Sequence, residues 1–150
     1  MRIVCKNVKD LKTNEFIKEK KLIEYVINNI NKFAENILED EIISYELEKS
    51  IDKQYRLSPR GRRIDLYVVG KKNKYIIEFK NPKNGIENRA AIGQLLDYGR
   101  EIGDCNLILI TTLFDINTFR TINHYNLPIR YIYFDKEKSM ECIGEENEQY

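Results

Sequence analysis

The sequence has few of the residues that cross-link or interrupt a chain. Its 150 residues include three cysteines, three prolines, seven glycines, one histidine and no tryptophan. The cysteines, Cys5, Cys105 and Cys142, are odd in number and show no C-x-x-C spacing. This pattern argues against both a disulfide framework and a zinc site. We therefore expect a reduced, intracellular protein with the cytoplasm as its compartment.

Long apolar runs and an excess of one charge are also missing. No stretch approaches the length of a membrane span, and the N-terminus lacks the apolar segment of a signal peptide. The formal net charge is +1, so any nucleic-acid site must be a local basic patch. The length favours a single domain over residues 1–150, with an N-terminal arm at 1–13 and an acidic tail from about 138 that should fray.

Apolar periodicity and turn residues predict an α/β sandwich in which helices flank a mixed sheet. A long helix is predicted from Thr13 or Asn14 to about Leu38, and a second helix over 86–103 that ends at Gly103. Strands are predicted at 2–5, 41–49, 63–70, 74–80, 106–112 and 129–135, with a short helix or turn at 115–126. The strands between the two helices can form an antiparallel meander, whereas the last two need crossovers and should run parallel.

The strand at 74–80 carries charge at its end. An acidic residue followed two positions later by lysine occurs three times, beginning at Asp10, Glu19 and Glu78. Only Glu78 and Lys80 lie on an apolar strand, where alternate side chains point to one face. The third occurrence is therefore the one that predicts a site.

The preceding strand brings a second carboxylate to this place. If Gly70 lies opposite Asn73 across the turn, then counting back along both strands puts Asp65 directly opposite Glu78. Directly opposed residues have Cβ atoms roughly 5 Å apart. Two carboxylates at that distance repel unless a cation lies between them, and Mg²⁺ is the obvious candidate.

Both predicted helices add polar groups. At about 100° per residue, Glu19 lies on the same side of the first helix as its apolar stripe, with Glu15 as the second choice, whereas Glu24 faces water. Gln94 and Tyr98 share one face of the second helix. Gly93, beside Gln94, is expected to let this helix approach the sheet closely.

Basic residues cluster before Asp65 and in the hairpin turn. These two groups are predicted to contact the phosphates of a nucleic acid. They comprise Lys53, Arg56, Arg60, Arg62 and Arg63 in the first group and Lys71 and Lys72 in the second.

Each of these features also has a purely structural interpretation. Glu78 and Lys80 could be an ion pair at a strand end, Asp65 a turn cap and Glu19 a surface charge. Gln94 and Tyr98 could be ordinary helix residues, and basic clusters are usually solvated loops. His124, the only histidine, is interpreted as a surface residue. The order of the acidic, amide and lysine residues along the chain favours a catalytic site over these separate explanations.

The segments "GRRIDLYVV", "YIIEFK" and "AIGQLLDYG" resemble the PD-(D/E)xK nuclease superfamily, which has the restriction-endonuclease-like fold. They look most similar to the NucS nuclease domain and its RecB-like relatives. The resemblance extends from about Glu19 to Tyr98. It implies that Glu19, Asp65, Glu78 and Lys80 form the metal site, followed by Gln94 and Tyr98.

The resemblance also implies an activity. We expect a Mg²⁺- or Mn²⁺-dependent DNA endonuclease in which Asp65, Glu78 and the Phe79 carbonyl bind the metal and Lys80 orients the attacking water. The substrate would be flap, branched or single-stranded DNA. A Holliday-junction resolvase, acting as a homodimer, and a catalytically inactive DNA-binding module of the same fold remain the alternatives.

Overall fold

The computed structural model describes residues 2–7, 19–51, 62–134 and 139–146. Strand β1 (Arg2–Asn7) is followed by helices α1 (Glu19–Asn28) and α2 (Ile30–Phe33), a π-helical turn (Ala34–Leu38), and strands β2 (Ile42–Ser50), β3 (Arg63–Gly70) and β4 (Lys74–Lys80). Then come α3 (Ile86–Ile102), β5 (Cys105–Thr111), α4 (Ile116–His124), β6 (Ile129–Phe134) and β7 (Ser139–Glu146). Within these ranges, no helix combines the length and apolarity needed to cross a bilayer.

The strands form one seven-stranded sheet in the order β1-β7-β6-β5-β4-β3-β2. Strands β2, β3 and β4 make the expected antiparallel meander. Strands β4, β5 and β6 run parallel, as their crossovers require. The helices α1 and α2 cover one face and α3 and α4 the other, so two apolar clusters enclose the sheet. The predicted α/β sandwich is confirmed.

The acidic C-terminal segment departs from the prediction. Residues expected to fray form β7, which pairs with both β6 and β1. Its Glu141 is only 9% exposed and accepts two hydrogen bonds from the Arg130 guanidinium, at 2.8 and 2.6 Å. Cys142 beside it is buried in the cluster under α3 and α4. The strand depends on a partner residue across the sheet, which local composition does not reveal.

The first helix is also less regular than predicted. It breaks at Asn29, whose side-chain amide donates to the Tyr25 carbonyl at 2.9 Å, and it ends in a π-helical turn at Leu38. Its apolar stripe nevertheless faces the sheet, with Leu22, Val26 and Phe33 fully buried. The predicted start at Thr13 or Asn14, and Glu15, lie outside the described residues.

A carboxylate from the connection between the π-helical turn and β2 fixes the β3–β4 turn. Asp40 accepts hydrogen bonds from the backbone N–H groups of Lys72 and Asn73, each at 3.1 Å, and from the Tyr75 hydroxyl at 2.9 Å. The Gly70 N–H donates to the Asn73 carbonyl at 2.8 Å. A Cβ at Gly70 would lie 2.1 Å from the Asp40 carboxylate, so this turn requires glycine. The register that positions the site therefore begins here.

The two glycines of α3 have different surroundings. Gly93 is exposed, and a Cβ there would meet no atom within 4 Å. The expectation that Gly93 allows close approach to the sheet is therefore wrong. Gly99 has that role, because a Cβ there would lie 3.0 Å from a Leu107 methyl group on β5.

This difference predicts opposite effects of alanine on stability. Gly93→Ala should raise the free energy of unfolding by about 0.5–1 kcal/mol, because a helix interior favours alanine over glycine and no contact opposes it. Gly99→Ala should give no such gain, since Leu107 must move. Urea unfolding measures both variants, and a destabilised Gly93→Ala variant would contradict this description of α3.

Candidate active site

The hairpin register brings Asp65 and Glu78 together. Regular pairing of β3 with β4 runs from Val69 and Lys74 to Leu66 and Ile77, so the next step along both strands is Asp65 and Glu78. There the carboxylates bind the backbone of the facing strand. The Asp65 N–H donates to Glu78 Oε1 at 3.2 Å, and the Phe79 N–H donates to Asp65 Oδ2 at 2.9 Å. The predicted opposition of the two acids is thus present in the structure.

The strand β3 loses its regular alternation at Asp65. Leu66 packs in the cluster under α1, whereas Ile64 packs in the cluster under α3. Residues two apart share a face in a regular strand. Glu48 is the residue of β2 that lies opposite Asp65, because the pairs on either side are Leu47–Leu66 and Lys49–Ile64. The backbone of Glu48 has a positive φ of 50°. Irregularities of this kind re-aim side chains next to active sites.

Glu19 approaches the pair from the first turn of α1. Burial, and then the charge of the neighbouring Asp65, raise the pKa of Glu19. The Lys80 charge acts in the opposite direction on Glu19. Glu24 is half-exposed and lies 3.7 Å from Lys21. Glu19 thus lies near the sheet and Glu24 lies nearer to solvent, as the angle of about 100° per residue predicted.

Glu78 carries the largest electrostatic perturbation in the cluster. Its side chain is 3% exposed. Burial, and then the Asp65 charge, raise the pKa of Glu78 from 4.5 to about 9, while Lys80 lowers it. The carboxyl groups of Glu19, Asp65 and Glu78 thus bring together more negative charge than their surroundings stabilise. Such a cluster favours a bound proton or a bound cation.

Helix α3 places Tyr98 beside the carboxyl groups, and Gln94 precedes it by one helical turn. Burial, and then the charges of Glu78 and Asp65, raise the pKa of Tyr98 to about 12. In the described part of the chain, Gln94 Oε1 is the only buried side-chain nitrogen or oxygen without a hydrogen-bond partner. Leaving a buried acceptor unpaired costs about 1–3 kcal/mol. This oxygen is therefore available to a ligand.

Glu87 was missed in the sequence. Its charge contributes to raising the pKa of Glu19, which places it near the cluster at the first turn of α3. Glu87 lies seven residues before Gln94, and two helical turns return a side chain to the same face. The same helical phase that grouped Gln94 with Tyr98 could have found it.

A cleft of about 590 Å³ opens beside these acids, between α1 and β2. Glu19 and Asp65 lie on its wall, together with the apolar side chains of Ile23, Ile27 and Leu47. Glu24 and Glu48 add two further carboxylates to its lining, and Lys20 adds one positive charge. The carboxyl cluster is therefore reachable from solvent on this side.

The side chains at this site carry the kind of oxygen atoms that bind a hard divalent cation, although these oxygens do not point at one common position. Across the described ranges, no three His, Cys, Asp or Glu side chains are grouped so that they could hold a metal ion. Asp65 and Glu78 instead direct oxygens at backbone N–H groups. Carboxylate and amide oxygens are the ligands that Mg²⁺ takes, and Gln94 Oε1 is an unpaired one. The role of the Phe79 carbonyl as a ligand stays a prediction.

The basic residues predicted to contact DNA that the structure describes lie at the two ends of β3. Lys53, Arg56 and Arg60 lie outside the described residues. Arg63 is exposed and lies 3.9 Å from Glu48. Lys71 and Lys72 lie at the hairpin turn, about 20 Å from Asp65 along β3 at the usual rise per residue, and Lys71 pairs with Glu41 at 2.8 Å. Their contact with DNA stays a prediction.

Arg62 binds two acids of α3. Its Nη1 lies 2.6 Å from Asp97 Oδ2, and its Nη2 lies 3.0 Å from Glu101 Oε1. The side chain predicted as a phosphate contact is therefore already paired with carboxylates.

Comparison with solved structures confirms the fold. A repair endonuclease from Pyrococcus abyssi superimposes with a TM-score of 0.50 at 14% identity, over 83% of this chain and 50% of that protein. This chain thus spans half the length of that endonuclease. SfsA from Pyrococcus furiosus, in complex with Ca²⁺, superimposes with a TM-score of 0.42 at 14% sequence identity, over 85% of this chain and 65% of that one. The small subunit of the heterodimeric restriction endonuclease R.BspD6I superimposes with a TM-score of 0.42 at 15% sequence identity, over 77% of this chain and 68% of that one.

No protein-family model and no curated protein sequence matches this chain. The structural likeness therefore stands without support from overall sequence similarity. The chain has the restriction-endonuclease-like fold that its motifs predicted.

The raised pKa of Glu78 predicts how stability depends on pH in the presence of a chelator. The folded chain keeps this proton up to about pH 9, whereas the unfolded chain releases it near 4.5. Between those values the folded state binds one proton more, so the free energy of unfolding should fall as the pH rises, by at most about 1.4 kcal/mol per pH unit.

Glu78→Gln removes this titration. Its free energy of unfolding at pH 8 should exceed that of the wild type by about 1 kcal/mol or more, and the difference should vanish near pH 4. Glu24→Gln, at a half-exposed carboxyl group on α1, is the matched control and should follow the wild type. Equal pH profiles of the Glu78→Gln variant and the wild type in urea unfolding would contradict the burial of an ionisable Glu78.

Proposed function

We propose that this chain is a divalent-metal-dependent deoxyribonuclease that hydrolyses phosphodiester bonds within DNA. The observation that carries the proposal is that burial and the charge of Asp65 raise the pKa of both Glu19 and Glu78, while the charge of Lys80 acts in the opposite direction on both. Strongly perturbed carboxyl groups beside an open cleft indicate a functional site. The shared fold with a repair endonuclease makes phosphodiester hydrolysis the chemistry to test.

The carboxylates of Asp65 and Glu78 would hold Mg²⁺ or Mn²⁺, with Glu19 and the Gln94 amide oxygen nearby. Such an ion, when bound, polarises a phosphate oxygen and lowers the pKa of a coordinated water. A cation would also offset the burial and the Asp65 charge that keep a proton on Glu78. Metal affinity should therefore rise with pH, because the carboxyl group must release its proton to bind.

Lys80 supplies the positive charge of the site. It follows Glu78 by two residues and acts electrostatically on both Glu78 and Glu19. An ammonium group on a flexible stem can hold the attacking water and stabilise the charge that develops on the phosphate oxygens.

Gln94 and Tyr98 contribute hydrogen bonds rather than charge. The free Oε1 of Gln94 can accept a hydrogen bond from the attacking water. Tyr98, with its pKa near 12, stays protonated at neutral pH and can only donate or accept a hydrogen bond. Neither residue is needed as a general base.

Loss of Lys80 or Asp65 tests this assignment. Lys80→Ala and Asp65→Asn should each lower kcat by about 10²-fold or more, because preorganised charge is removed from the reacting phosphate. Cleavage of fluorescently labelled single-stranded and duplex DNA in Mg²⁺ or Mn²⁺ measures the effect, and retained binding in chelator shows that the fold and DNA contacts persist.

Lys74→Ala is the matched control for Lys80→Ala. Lys74 lies on β4 at the turn end, six positions before Lys80, and is exposed. The Lys74→Ala variant should cleave DNA at the same rate as the wild type. Full metal-dependent activity in Lys80→Ala and Asp65→Asn would refute the proposed site, and an inactive wild type with intact DNA binding would favour the inactive binding module.

The same assay separates the remaining substrate classes. Flap, branched and four-way-junction DNAs should be compared at equal concentration, with the oligomeric state measured by light scattering. Preferential cleavage of four-way junctions by a homodimer would support the resolvase alternative. Preferential cleavage of flaps or single strands would support the NucS-like activity.

A further inference from the structure

Arg62 joins two elements that each carry part of the candidate site. It immediately precedes β3, and Asp65 follows it by three residues. Its two partners, Asp97 and Glu101, lie one turn apart on α3, where Asp97 adjoins Tyr98. Helix α3 packs mainly on β4 and β5, so this bridge ties it to a third strand.

The bridge uses both ends of the guanidinium group. Nη1 contacts Asp97 at 2.6 Å and Nη2 contacts Glu101 at 3.0 Å, and all three side chains are 35% exposed. The hydrogen bonds from Arg62 are the largest influence that lowers the pKa of both acids. A planar guanidinium can hold two carboxylates at once, whereas a lysine ammonium acts as a single point charge.

We propose that Arg62 is a positioning residue that fixes β3 against α3, so that Asp65 keeps its place relative to Gln94 and Tyr98. This inference rests on the proposed nuclease function. It differs from a phosphate-clamp role for Arg62, because both terminal nitrogens of the guanidinium group already bind carboxylates, Nη1 that of Asp97 and Nη2 that of Glu101.

Asp97→Asn distinguishes the two roles. If Arg62 positions β3, then Arg62→Gln removes the bridge and Asp97→Asn weakens it. Arg62→Gln should lower kcat by roughly 10- to 100-fold, since a displacement of about 1 Å costs this much, and Asp97→Asn should lower it by a smaller factor, both with little change in KM. If Arg62 binds phosphate, then Asp97→Asn releases it, so kcat stays constant while KM stays the same or falls. The second result would overturn the proposal.

Arg100→Gln is the matched control. Arg100 contacts the same two acids, at 2.9 Å from Asp97 and 3.2 Å from Glu101, but it belongs to α3 itself. Its loss removes a nearby positive charge without removing the bridge, so kcat should be unchanged. Arg62→Lys should recover part of the activity lost in Arg62→Gln. Equal losses in Arg100→Gln and Arg62→Gln would show a general charge effect and refute the bridge.

Hydrogen exchange tests the bridge without catalysis. In Arg62→Gln and Asp97→Asn, the amides of residues 63–66 and 94–98 should exchange at least several-fold faster than in the wild type, whereas Arg100→Gln should match it. If the wild type cleaves no DNA but these amides respond, the nuclease function fails and the bridge stands. If the wild type is active and exchange is unchanged in both variants, the bridge is refuted.

Discussion

Asp65 and Glu78 face each other where the β3–β4 hairpin stops pairing, and the candidate site is built around this pair of carboxyl groups. Each carboxylate accepts a backbone N–H from the other's strand, which offsets part of the cost of burying it. The remaining cost appears as the raised pKa of Glu78. The supporting elements α1, α3 and β2 are arranged around this pair, so the site is shared by the whole sandwich rather than located on one loop.

The register at this pair is set at the other end of the hairpin. Asp40 binds the turn, and Gly70 leaves room for its carboxylate. A shift of one residue would move every side chain of β3 to the opposite face, and would turn Asp65 away from Glu78. A contact about 17 Å from the acids at the usual strand rise therefore decides whether they meet, which explains why a surface turn carries such a dense hydrogen-bond network.

The local sequence pattern was sufficient to predict β3, β4 and their register, because two alternating strands joined by a short turn can pair in few ways. The bounds of both strands, 63–70 and 74–80, agree with the structure. Local pattern failed for β7, whose polar sequence is held by the Arg130–Glu141 pair and by β1. It also could not show that Arg62 binds α3, since exposed acids on a helix look alike until the facing strand is known. These features depend on contacts distant in sequence.

The site departs from the rules that the rest of the fold follows. A buried acid with a raised pKa, an amide oxygen without a partner and a strand that loses its alternation each destabilise a structure. In the described chain the raised pKa and the lost alternation occur at facing residues, Glu78 and Asp65, and the unpaired oxygen belongs to Gln94 on α3, which packs on β4. Sequences conform to local preferences except where function requires otherwise, so these three costs on adjoining elements argue for a functional site. The divalent cation of the proposed function would relieve the first of them, because it would balance the charge of the carboxylates.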